Sequence, residues 1–160
     1  MKDFQDHTIK EYSEVLSLKV PVPGGGSAAA LTGALGASLI SMVVNYSLGK
    51  KTPEADKKLN TLLVQNEILR KRLLVLVDLD AQAYLGVVQA RKGTDEEKQK
   101  ASKHAREVPL EIAECCYKAM ELTPILVVEG NKYLLSDVEV AMELLGAAFQ
   151  SAMVNVRINQ

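Results

Sequence analysis

The stretch "VPVPGGGSAAALTGALGASLISMVVNYSLGKK", Val20 to Lys51, decides the fold. No charged residue occurs between Val20 and Leu48. Two prolines and three glycines lead into a segment built of Ala, Gly, Ser and Leu. Ser27 to Leu48 is 22 residues, long enough to cross a bilayer, with Lys19 on one side and Lys50 and Lys51 on the other. Composition argues against a span. Thr32, Ser38, Ser41, Asn45 and Ser47 are polar, Ala and Gly are weakly lipophilic, and the chain has no Trp for an interfacial belt. Leu31, Leu35, Leu39 and Met42 form a bulky ridge. Gly33, Ala37 and Ser41 form a smooth face at i, i+4 and i+8, where another helix backbone can approach closely. A helix without a polar face has to be enclosed, so the segment predicts a buried central helix.

The remaining elements follow from this core. Thr8-Ile-Lys-Glu11, Thr94-Asp-Glu-Glu97 and Ser136-Asp-Val-Glu139 each fit a capping box. Thr52-Pro53-Glu54 supplies an N-cap, a first-turn proline and an acid. Gly49, Gly93 and Gly130 sit where glycines end helices. These signals predict an all-α, up-and-down bundle of five main helices at about 8–18, 27–48, 53–91, 95–122 and 137–157, the fourth kinked at Pro109. Thr123 to Leu135 reads as a helical turn followed by a loop. At 160 residues the whole chain, 1–160, is expected to be one domain.

The third helix carries the main chemical signal. Leu59, Leu62, Asn66, Leu69, Leu73, Leu76, Asp80, Ala83 and Val87 recur at steps of three and four, as on a coiled-coil seam. Asn66 there can fix register. Asp80 is costly on a packed stripe unless it is paired, hydrated or neutral, which is how a carboxyl group acquires a shifted pKa. Asp78 is expected to face away from that seam.

Several chemistries are poorly matched. "PGGGS" lacks the Gly-Lys-Ser/Thr of a phosphate loop and is not GxGxxG. It remains a glycine-rich entry, with Ser27 expected as N-cap, where a ligand can approach the backbone. His7 and His104 are not part of a zinc motif or a nucleophile elbow, so no metal is expected. Cys115 and Cys116 are adjacent, point about 100° apart on a helix, and read as buried thiols. The 19 basic and 20 acidic residues give a net charge of −1, without the basic clustering that nucleic acid binding needs. The charged run Arg91–Val108 reads as a solvated face. Met1 to Lys19 is charged throughout and unlike a signal peptide, so a cytoplasmic location is expected, with no membrane and no nucleic acid partner. The near absence of polar surface on the second and last helices predicts a homodimer.

Taken together, "PVPGGGSAAALTGALGASLISMVVNYSLGKK", "LVDLDAQAY", "REVPLEIAE", "EGN…LLSDVEVA" and "NVRIN" resemble the cyclodeaminase family of folate enzymes. That family comprises the cyclodeaminase domain of formiminotransferase-cyclodeaminase and stand-alone methenyltetrahydrofolate cyclohydrolases. The resemblance covers nearly the whole chain, in order. It implies an all-helical, typically dimeric enzyme without metal, using no cofactor beyond its tetrahydrofolate substrate. The family's Asp-x-Asp-Ala element falls on Asp78 to Ala81, with Asp80 implied as the catalytic acid. Its glycine-rich entry falls on Gly24, Gly25, Gly26 and Ser27, and its central-helix Asn on Asn45. Its Ser-Asp start falls on Ser136 and Asp137, and its terminal motif on Asn155, Arg157 and Asn159. Lys50, Lys51 and Arg157 are candidates for the glutamate tail of folate, and Asp137 for the pterin edge. Family members usually continue past "NVRIN" with another long helix, so one helix fewer is expected before Gln160.

The reaction implied is either of two. One is cyclodeamination of 5-formiminotetrahydrofolate to 5,10-methenyltetrahydrofolate and ammonia. The other is hydrolysis of 5,10-methenyltetrahydrofolate to 10-formyltetrahydrofolate. The rival reading is a non-catalytic helical scaffold or folate-binding protein that has kept the family core.

Overall fold

The computed structural model describes residues 3–159; the ends of the expected 1–160 domain lie outside them. Five helices account for most of these residues: α1 (Ile9–Ser17), α2 (Gly25–Ser47), α3 (Pro53–Ala90), α4 (Asp95–Glu129) and α5 (Leu135–Ile158). Short 3-10 turns at Phe4–Asp6 and Lys132–Leu134 precede α1 and α5, and no strand occurs among the described residues. The all-α bundle is as expected.

α2 is the central post. It packs against α3, α5 and α4, while α4 packs against α3 and α5. Its small residues permit this. A Cβ at Gly33 would meet Cys116 Sγ and Leu73, and one at Gly36 would meet Leu145 and the backbone of Ala141. Ala30, Ala37, Ile40, Val43 and Val44 are fully buried. By length and composition both Gly25–Ser47 and Pro53–Ala90 could cross a bilayer, yet 61% of the apolar window of the first is buried inside this one chain. That is the enclosure its composition required.

The seam of α3 closes on α2. Leu59, Leu62, Leu73 and Leu76 are buried, and Asn66 is wholly enclosed. Asn66 Nδ2 donates to Ala37 O at 2.7 Å and to Ser41 Oγ at 2.8 Å, which fixes α3 against α2 as a seam Asn can.

The helix ends include several corrections. Thr8 and Thr94 form the expected capping boxes and Thr52 caps α3. Gly49 takes the left-handed conformation, φ +73°, just past α2. Gly93 and Gly130 do not. The Ser136 box is absent. Asn131 caps the 3-10 turn by accepting from Tyr133 N, and α5 is already under way at Leu135. Ser27 is not an N-cap either, because α2 begins at Gly25 after Gly24 and Ser27 lies within its first turn. The region 123–129 is helix rather than loop. α4 passes through both Pro109 and Pro124. Each proline lacks the N–H that would serve the carbonyl four residues back. Thr123 Oγ1 serves Met120 O at 2.8 Å, and Asn159 Nδ2 serves Ala105 O at 2.8 Å. Side chains thus restore what the prolines remove, and the helix continues.

Asp78 occupies an enclosed position that its place off the apolar seam does not reveal. It is 7% exposed, because the turn Phe4–Asp6 folds over that side of α3 and donates two backbone N–H groups to its carboxylate.

Candidate active site

The N-terminal end of α2, the C-terminal half of α3 and the C-terminal end of α5 enclose a cleft of about 470 Å³. Gly24, Gly25 and Gly26 form one wall, bare of side chains. α3 and its end contribute Asp80, Ala83, Tyr84, Val87 and Arg91; α5 and its end contribute Asn155, Ile158 and Asn159. Ala105 of α4 closes the base. Asn159 is held there because its amide is spent on the Ala105 carbonyl that Pro109 leaves open. The "REVP" and "NVRIN" segments are therefore one structural device.

Asp80 lies half-buried in this cleft. Its Oδ2 accepts the Ser27 N–H at 2.9 Å. That amide belongs to the first turn of α2, whose positive dipole end favours an anion. A Cβ on Gly26 would fall inside the Asp80 carboxyl group, so only glycine lets the acid lie this close to the helix. Burial pushes the Asp80 pKa above the ordinary aspartate value, and the Ser27 amide opposes that in part. Among the described residues no other donor reaches the carboxylate. It is a carboxyl group whose ionised form burial disfavours, open to the cleft on one side, the setting in which a carboxyl can serve as general acid or base.

Behind it, Ser27 is fully buried and its Oγ shares a hydrogen bond with Tyr12 OH at 2.9 Å. Tyr12 is 7% exposed, and its burial raises the phenol pKa.

Of the residues singled out in the sequence, the structure brings together Gly24, Gly25, Gly26, Asp80, Asn155 and Asn159 in the cleft wall, with Ser27 behind. Asn45, Lys50 and Lys51 are elsewhere. From Gly26 to Asn45 along α2 is about 28 Å at helical rise. Asn45 and Lys50 are exposed there, and Lys51 Nζ donates to Val128 O at 2.8 Å. Asp137 opens α5 and so lies about 27 Å from Asn155 by the same rise. Arg157 is exposed and outside the cleft lining.

Tyr84 and Arg91 were not singled out. They follow Asp80 by four and eleven residues, which returns to the same helix face, so the spacing was there to find them. Arg91 is the cation that lines the cleft. A more open groove of about 540 Å³ between α3 and α4 carries Lys92, Glu97, Lys100 and His104, all exposed. Among the described residues no group of three or more His, Cys, Asp or Glu could hold a metal ion. Cys115 and Cys116 are free and buried, and burial pushes their thiols up to about 11 and about 12, far from reactive thiolates.

Comparison with known proteins agrees with this geometry. The family model described as formiminotransferase-cyclodeaminase matches residues 8–160. A methenyltetrahydrofolate cyclohydrolase from Methylorubrum extorquens is 37% identical over 96% of this chain and 79% of its own length. The formimidoyltransferase-cyclodeaminase of Rattus norvegicus is 32% identical over 96% of this chain, which spans only 30% of that longer protein. The crystal structure of formiminotetrahydrofolate cyclodeaminase from Thermotoga maritima superposes with a TM-score of 0.92 at 31% identity, covering 97% of this chain and 79% of that one. With the family's segments present in order and its fold reproduced, the chain belongs to the formiminotransferase-cyclodeaminase family.

Proposed function

We propose that this protein is an enzyme acting on the one-carbon unit of tetrahydrofolate, with Asp80 as its proton-transfer group. It catalyses cyclodeamination of 5-formiminotetrahydrofolate or hydrolysis of 5,10-methenyltetrahydrofolate. The observation that carries the reading is the Asp80 carboxyl itself: desolvated, held by one amide, and open to a cleft walled by bare glycine backbone. Relatives named for each of the two reactions support the pair.

Both reactions need one group that takes a proton and returns it. In cyclodeamination N10 attacks the carbon of the formimino group in its protonated, amidinium form; the N10 proton passes through Asp80 to the NH2 so formed, which leaves as ammonia and gives the methenyl cation. In hydrolysis water adds to the cationic methenyl carbon and gives a proton to Asp80. The carbon–N5 bond then breaks as Asp80 returns a proton to N5, leaving the formyl group on N10; the second proton of the water is released. An ionised Asp80 also stabilises the cationic carbon electrostatically. Arg91, in the same cleft, suits the carboxylates of the folate tail. The reading assigns no step to a cofactor other than the folate.

The same reading takes the protein as a cytoplasmic homodimer that engages neither membrane nor nucleic acid. Exposed Leu35 and Tyr46 on α2, with Val64 and Ile68 on α3, support pairing of two copies. Antiparallel pairing of the two α2 helices would carry the Asn45 end of one copy toward the cleft of the other. Sedimentation at micromolar concentration is expected to give a dimer; a stable monomer would remove that part of the reading.

The activity is tested by offering both folates to the purified protein. Decay of the methenyltetrahydrofolate absorbance follows hydrolysis, and ammonia release follows cyclodeamination. Turnover of at least one is expected. Inactivity on both would leave the scaffold reading in its place.

A further inference from the structure

Two buried polar side chains that the reaction does not use seat the N-terminal arm, residues 3–17, on the bundle: Asp78 of α3 and Tyr12 of α1. Asp78 Oδ1 accepts Phe4 N–H at 2.6 Å, and Oδ2 accepts Gln5 N–H at 3.2 Å. The Phe4 ring meets the Tyr12 ring edge-on, with centroids 6.3 Å apart. Tyr12 OH bonds Ser27 Oγ, and the Ser27 amide bonds Asp80. Tyr12 is the one buried residue of α1, while Ile9 beside it is 90% exposed. The seat of the arm on the bundle thus rests on Asp78 at one point and Tyr12 at the other.

We propose that Asp78 is a positioning residue: by latching the backbone of Phe4 and Gln5 it holds Tyr12 against Ser27 and keeps water from the back of the Asp80 carboxyl. Its effect on rate rests on the proposed function; its effect on the ionisation of Asp80 does not. The two acids of "DLD" then have separate duties, one holding the cover and the other working beneath it. The physical link is desolvation. Water admitted behind Asp80 solvates the ionised form and brings its ionisation down toward that of an ordinary aspartate. The titratable groups around Asp80 are Tyr12 from α1, Asp78 and Tyr84 from α3, and Arg91 just past its end. The cleft linings of α2, α4 and α5 contribute none.

Two variants separate this from simpler explanations. Asp78→Asn replaces one acceptor oxygen with an NH2 group that opposes a backbone N–H. It also removes a charge, which alone shifts Asp80 the same way. Phe4→Ala loosens the Tyr12 seat and changes no charge. The measurement is a carboxyl-13C NMR titration of Asp80 in the folded, ligand-free protein, its signal assigned by loss in Asp80→Asn. Steady-state kinetics are run on the same samples. We expect the Asp80 midpoint to fall in both variants and kcat to fall about 10-fold with KM little changed, because the acid leaves the pH range it works in. The double variant should go no further than Asp78→Asn alone. An unmoved Asp80 midpoint in Phe4→Ala overturns the proposal, even if the melting temperature drops, since that is the signature of a purely structural clamp. Additive shifts in the double variant overturn it too. Should Asp78→Asn not fold, Phe4→Ala decides alone. If the wild type turns over neither folate, the proposed function falls while the titration still decides the latch.

Discussion

The two ends of α2 are built from similar small and polar residues and are put to opposite uses. At the far end several polar groups are spent on fixed partners. Ser47 Oγ donates to Val43 O and accepts Asn131 N–H. Lys51 is bound to Val128 O, Lys58 pairs with Glu129, and Gly49 N–H is taken by Asp56. At the near end the glycines present bare backbone, and Asp80 keeps an oxygen turned to the cleft with only the Ser27 amide as partner. Bonded polar groups hold α2 to its neighbours at the far end. An acid with a single partner, open to a cleft, is where chemistry can occur.

That contrast ranks the expected consequences of mutation. Asp80→Asn keeps shape but cannot exchange a proton, so turnover should fall at least about 100-fold, the lower range for general acid–base catalysis. Gly26→Ala should come next. Its Cβ displaces the Asp80 carboxyl, whose flexible end can swing away, and alanine suits a helix better than glycine. The fold should hold while activity falls roughly 10- to 100-fold, the cost of a misplaced catalytic group. Circular dichroism and steady-state rates on one sample check both halves.

Asn159→Ala tests the support of the cleft. It leaves the Ala105 carbonyl unserved and should cost about 1–3 kcal/mol in denaturant unfolding. Adding Pro109→Ala restores the helical N–H, so the double variant should regain much of that loss. The smallest effect is expected at the far end, where Lys51→Ala should leave kcat within about two-fold, removing only an exposed contact. A loss beyond ten-fold would show that the far end takes part in a site, and would make an antiparallel second copy its source.

How much of this was legible in the sequence depends on range. Asp80 was readable because an acid interrupts an apolar repeat on one helix. The caps at Thr8, Thr52 and Thr94 involve residues three apart and were read without difficulty. The burial of Asp78 was not legible because its partners lie more than seventy residues away, and helical periodicity carries no trace of an arm folding back. The glycines before Ser27 resemble a turn in sequence, yet Gly25 and Gly26 enter the helix and Gly24 takes the cap position. The continuation of α4 through Pro124 depended on Thr123 reaching back to Met120, a substitution for backbone bonding that proline alone does not announce. Family resemblance brought Asn45, Lys50 and Asp137 into the same list as Asp80, and sequence order alone does not show that within one chain they lie far from its cleft.

The central claim is that a desolvated Asp80 carries the proton in this cleft. The most direct test is the pH dependence of kcat/KM for the folate that the wild type turns over. Because burial raises the folded-state pKa of Asp80, the ionised acid is the form the fold disfavours. Its contribution to stability is therefore greatest when it is protonated and is lost as pH rises from the ordinary aspartate value through the raised one. Catalysis should run the other way across that window, with kcat/KM climbing as the base ionises and its midpoint lying above the ordinary aspartate range. A rate that stays level down through the ordinary carboxylate range, or a limb that persists unchanged in the residual activity of Asp80→Asn, would contradict the assignment.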